Sequence, residues 1–156
     1  PINVAGPGTI FGYAAGVLGG HRVTTVIARE RSEIIFVPEH ALAAIARELP
    51  SLWLHFAELA TEQLTWAVRI IAERARLSPE ARLAARLHAY AGQWANGDAI
   101  VLPLRQDELA ELTGLSRKTV NRILSAFERR GFISLGYRAI EIKNAAKLAE
   151  FVRKSE

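Results

Sequence analysis

The chain has 156 residues, 20 Lys+Arg against 16 Asp+Glu for a net charge of +4, half of its residues hydrophobic, and no cysteine. That is room for one or two packed domains rather than a disordered chain, and the missing thiols exclude a disulfide framework, a Cys-ligated zinc or iron–sulfur centre and a cysteine nucleophile in these residues. No apolar run approaches the roughly 18 residues of a membrane span and no signal peptide opens the chain, so we expect no membrane partner and a cytoplasmic location.

The chain opens on Pro1, and six of its eleven glycines fall in the first twenty residues. We expect a piece of a longer protein. Residues 22–28 and 33–37 are β-branched and aromatic, bounded by Gly19-Gly20 and Pro38, and read as two strands around a polar turn at 29–32. A short helix is expected over Glu39–Glu48, between Pro38 and Pro50. From Ser51, a plausible N-cap, a long helix runs to 77. Leu52, Phe56, Leu59, Gln63, Trp66, Ile70 and Leu77 lie near 3,4-spaced heptad positions. Leu64, Ala67 and Ile71 widen the stripe, and Glu73 breaks it. About 26 residues without Gly or Pro span roughly 39 Å, more than one small domain buries, so a homodimer seam is the expected use.

Ser78-Pro79-Glu80 restarts a helix over 79–91, with Ser as N-cap, Pro in the first turn and an acid beside it. A loop at Gly92–Gly97 and a strand near Ala99–Leu104 follow. Beyond two more helices, Phe132–Leu135 and Ala139–Lys143 alternate as strands around a Gly136–Arg138 turn. A helix over Ala145–Arg153 closes the chain. Charge is uneven: residues 1–76 hold 7 basic and 7 acidic side chains, residues 77–156 hold 13 and 9. Within 116–138, Arg117, Lys118, Arg122, Arg129, Arg130 and Arg138 face one acid, Glu128. Such a cluster marks either a polyanion partner or a solvated helix face.

Residues 105–128 decide between them. Two short helices flank Thr113-Gly114-Leu115, where Gly114 supplies the left-handed backbone of a tight turn. Ala110 is small where the second helix crosses. Leu109, Leu112, Leu115, Val120, Ile123, Leu124 and Phe127 supply apolar contacts, and Ser116 caps the second helix. Arg117, Lys118, Asn121 and Arg122 share the polar face by i,i+4 spacing. Arg donates to guanine O6 and N7 and Asn pairs with the adenine edge in a major groove wide enough for a helix. These residues read as a helix-turn-helix, and Phe132–Lys143 as a wing with Arg138 near its tip.

The run Ala-x-x-x-Gly-Leu-Ser-Arg-x-Thr-Val-x-Arg-Ile-Leu, a long helix before it and a wing after it, resembles the Crp/Fnr family of transcription regulators over the whole chain. The resemblance implies an α+β chain: residues 1–49 the last part of a β-roll, cyclic-nucleotide-binding-like sensory domain, 50–77 a dimerisation helix, and 78–156 a winged helix-turn-helix. It implies a homodimer on double-stranded DNA with an inverted repeat, and RNA polymerase as a further partner. Arg117 and Arg122 match base-reading arginines. Lys118 stands where cyclic-AMP-responsive members carry a glutamate, and Lys, donor only, alters the preferred base. Arg105, Ser116 and Thr119 match phosphate-holding positions, which set register, and Arg138 joins them from the wing.

The effector pocket implied by the family falls on Gly12, Tyr13, Arg22, Val23 and Ala67. Tyr13 replaces the ribose-binding glutamate, Arg22-Val23 keeps the phosphate-binding cation without its hydroxyl, and Ala67 and Val68 replace adenine-binding hydroxyls. One of three kinds of contact survives, so an effector other than cyclic AMP is expected. His21 sits near the turn where one gas-sensing branch places a haem ligand. The cofactor stays unassigned. No P-loop, Gly-x-Ser-x-Gly or His-Glu-x-x-His motif occurs, so no enzyme is expected and no catalytic or metal-ligating set is assigned. A dimeric protein-interaction module using the winged domain, or a haem-based gas sensor, are the alternatives.

Overall fold

The computed structural model describes residues 3–13, 21, 24–94 and 100–155. In chain order they form α1 (Glu39–Glu48), α2 (Leu52–Arg76), α3 (Pro79–Gln93), β1 (Ile100–Leu102), α4 (Gln106–Thr113), α5 (Arg117–Arg129), β2 (Ile133–Gly136), β3 (Ala139–Ile142) and α6 (Ala145–Arg153). Two units emerge, Ile10–Val68 on the one hand and Pro1–Thr9 with Arg69–Glu156 on the other. No helix among the described residues is long and apolar enough to cross a membrane.

The larger unit is built by local signals that agree with one another. Ser78 accepts the Ala81 N–H at 3.2 Å, which satisfies one of the free donors at the start of α3. Pro79 has no N–H to lose there. The apolar face of α3, with Leu83, Ala84, Leu87, Tyr90 and Ala91, lies buried with Leu109, Val120, Ile123, Leu124, Phe127, Ile140 and Leu148 in one core. The sheet has the order β1-β3-β2, antiparallel throughout, with Ile100 and Ile133 both paired to Ile142. Val4 joins this core, and the Tyr90 hydroxyl donates to Asn3 Oδ1 at 3.0 Å. The sequence offered no signal for either contact.

Two expectations shift at their edges. α3 continues through Gly92 to Gln93 rather than stopping at 91, since Gly costs a helix only about 1 kcal/mol and the packed face carries it through. Of the strand expected near 99–104, the described residues form Ile100–Leu102, opposite β3, and 103–104 carry no strand, while residue 99 lies outside the described residues. The break in the α2 stripe also finds its reason. Glu73 faces Arg86 of α3 at 2.9 Å, with side chains 13% and 3% exposed.

In the unit Ile10–Val68, α1 occupies its expected span, and the Leu49 N–H closes its last turn on the Ile45 carbonyl at 2.8 Å. Of the two strands expected in 22–37, the described residues 24–37 form none, and residues 22 and 23 lie outside the described residues. A strand exists by pairing its backbone with a neighbour, and β-branched composition alone does not provide one. Ile27, Ile35 and Phe36 are 79%, 90% and 73% exposed.

Candidate nucleic-acid interface

α4 ends where the backbone turns left-handed at Gly114, with φ 67° and ψ 30°. The Gly114 N–H returns to the Glu111 carbonyl at 3.3 Å and the Leu115 N–H to Ala110 at 3.0 Å, so the carbonyls at the helix end are satisfied as the chain reverses. Ser116 then accepts the Thr119 N–H at 3.1 Å, and the two hydroxyls share a hydrogen bond at 2.8 Å. α5 starts there. It buries Val120, Ile123, Leu124 and Phe127, and Leu109, Ala110 and Leu112 of α4 are buried too. With one face used up, the other is left to solvent: Arg117, Lys118, Asn121 and Arg122 are all exposed.

The side chains on that face differ in how they are held. The Arg122 guanidinium donates through Nη2 to Glu80 Oε1 at 2.8 Å, bridging α5 to the first turn of α3. This hydrogen bond is the main reason the Glu80 carboxyl sits below the usual glutamate range. Asn121 Nδ2 donates to Gln106 Oε1 at 2.9 Å, on the first turn of α4. Arg117 and Lys118 form no ion pair with a described residue. Arg105 pairs with Asp107 at 3.0 Å, and its backbone N–H donates to Glu108 at 2.8 Å. Sequence reasoning missed Glu80 and Gln106, because contacts over 42 and 15 residues leave no periodic trace.

β2 and β3 form a hairpin closed by Tyr137 and Arg138, with Gly136 opposite Ala139. Arg138 has φ 56°, a conformation that normally favours glycine. Its guanidinium lies 5.9 Å from the Tyr137 ring centroid, and Tyr137 is 91% exposed.

The other candidates fall elsewhere. Gly12 has a positive φ of 78°. The Tyr13 ring stacks on Phe56 with centroids 5.8 Å apart, which joins a candidate effector residue to a candidate seam residue. Burial first, and then the Glu62 charge, push its phenol up. Arg22 and Val23 lie outside the described residues. Ala67 and His21 are exposed. On α2, Leu52, Phe56, Leu59, Trp66 and Ile70 are half-buried and Gln63 is exposed. The large apolar side chains most open on that helix are Trp53, Leu54, Leu64, Val68 and Ile71.

Two helices joined at a left-handed glycine and followed directly by a hairpin make this a winged helix-turn-helix protein. Residues 81–151 match the family model of the Crp-like helix-turn-helix domain. The cyclic AMP receptor protein of Thermus thermophilus is 31% identical over 96% of this chain and 68% of its own length. The chain belongs to the Crp/Fnr family of transcription regulators. The transcriptional regulatory protein btr of Bordetella pertussis is 27% identical over 94% of this chain, which spans 62% of that relative's length. A crystal structure of a CRP/FNR-family regulator from Thermus thermophilus superposes with a TM-score of 0.60 at 28% identity, covering 69% of this chain and 57% of the other.

Proposed function

We propose that this chain belongs to a homodimeric transcription regulator that binds double-stranded DNA at an inverted repeat. The observation that carries this is the division of α5 into a fully buried apolar face and an exposed face of Arg117, Lys118, Asn121 and Arg122. Those four side chains read base edges. Arg105, Ser116, Thr119 and Arg138 contact phosphates and fix the register. The left-handed backbone at Arg138 supports a role for that side chain, since the conformation costs a non-glycine residue about 1–2 kcal/mol. At the tip, that cost is borne by a cation.

Residues 78–156 are the DNA-binding part, 50–77 the dimerisation helix and 1–49 the sensory part. Pairing runs along α2 through Leu52, Phe56, Leu59, Gln63, Trp66 and Ile70. The open side chains of Leu64, Val68 and Ile71 on the same helix support such a seam. A two-fold dimer places its recognition helices about 34 Å apart, in successive major grooves. Control comes from an effector that favours one dimer arrangement by differential affinity, and RNA polymerase responds at the promoter.

The Thermus relative is named for cyclic AMP. Here Tyr13, its ring stacked on Phe56, offers a phenol where a ribose-binding carboxylate is expected, which supports a different effector. Selection from random DNA with the intact protein tests the whole reading. The expected product is an inverted repeat, bound equally with and without cyclic AMP by a dimer that Leu64→Glu splits in sedimentation. Recovery of no specific DNA would instead favour the protein-interaction module.

A further inference from the structure

Glu80 stands beside the face assigned to DNA, where a carboxylate repels phosphate. It lies in the first turn of α3, behind the Ser78 cap. Its carboxylate accepts a hydrogen bond from Arg122 at 2.8 Å. The carboxylate is the more sheltered partner, 35% exposed against 64% for Arg122, so the acid is the fixed point and the arginine the arm. One nitrogen of the fork is engaged. Nη2 carries a second hydrogen and Nη1 two more, and one from each nitrogen, side by side, make the pair that guanine O6 and N7 accept.

We propose that Glu80 is a specificity-determining positioning residue, which holds the Arg122 guanidinium for guanine and away from neighbouring phosphates. The proposal rests on the base-reading role given to Arg122 above. A free arginine has many rotamers and pairs with any phosphate within reach, which adds affinity without discrimination. Held by Glu80, Arg122 has its side chain ordered before DNA arrives. It also has an ion pair to keep when the base is not guanine. Arg117 and Lys118, without such a partner among the described residues, stay adaptable.

Binding of the intact protein to its selected duplex, to the same duplex with one guanine per half-site replaced, and to unrelated DNA tests this across salt. Arg122→Ala is expected to lose about five- to hundredfold of the preference at that base pair. Glu80→Ala is expected to lose about two- to tenfold at the same base pair, the equivalent of one side chain's ordering cost. It should also bind unrelated DNA more tightly, with a steeper salt dependence. Glu80→Gln, which keeps an acceptor but not the charge, should fall between, and the double variant should discriminate no worse than Arg122→Ala. If Arg122→Ala loses the preference and Glu80→Ala keeps it, Glu80 is only a surface ion pair and the proposal fails while the base reader stands. Tighter binding of Glu80→Ala to matched and altered sites alike would make Glu80 a lock, which also overturns it. An unchanged preference in Arg122→Ala removes the base-reading role, and this inference with it.

Discussion

The unit around the helix-turn-helix and the unit Ile10–Val68 treat apolar side chains in opposite ways. In the first, Leu83, Leu87, Leu109, Ile123 and Leu124 are completely covered. In the second, Ile34, Ile35, Phe36 and Val37 stand open in succession. The patterns differ before any folding is considered. In α5 the apolar residues fall at 120, 123, 124 and 127, one stripe of a helix that a single neighbouring layer covers. A continuous run such as 34–37 suits a strand covered on both faces, and the described chain supplies neither layer. Local propensity therefore yields an element only where the chain also supplies its partner.

Phe127→Ala and Ile35→Ala put that contrast to its hardest test. Phe127 is 1% exposed and packs on Phe132 and Phe151 with ring centroids 5.7 and 5.5 Å away. Its truncation should cost about 3–5 kcal/mol in urea unfolding. Ile35→Ala should stay within about 0.5 kcal/mol. Comparable costs would mean that the two units are not so different.

A somewhat smaller loss is expected from Glu73→Ala, which removes an ion-pair partner of the buried Arg86. Breaking a buried pair costs about 3 kcal/mol, and the midpoint of unfolding should fall accordingly, with Glu73→Gln retaining part of it. Smaller again is Gly114→Ala. The left-handed φ of 67° alone penalises a side chain by about 1–2 kcal/mol, and the new Cβ would sit 3.5 Å from the Arg74 guanidinium. A neutral result would show that the turn relaxes.

What was legible in the sequence follows the same division. The helix-turn-helix announces itself because its signals are local: Gly114 and Ser116 at the turn, and apolar and basic residues at helical spacing on opposite faces. α2 was legible for the same reason, apart from Glu73, whose partner Arg86 lies on another helix. The ties of Arg122 to Glu80 and of Asn121 to Gln106 were not legible, since each depends on how separate helices are packed. Nor was the entry of Val4 and Asn3 into the larger unit, which joins residues 87 positions apart. The strands expected in 22–37 fail in the reverse direction over the described residues 24–37, which have the right residue types and no described neighbour to pair with.

The most direct test of the central claim is the salt dependence of binding by the intact protein to its selected duplex. Each phosphate contact releases counterions and steepens the log–log slope by about 0.9. The account predicts a steep slope that loses about one contact in Arg138→Ala, with the selected sequence unchanged. A slope near zero would contradict it, and would make the exposed basic face of α5 a surface for something other than nucleic acid.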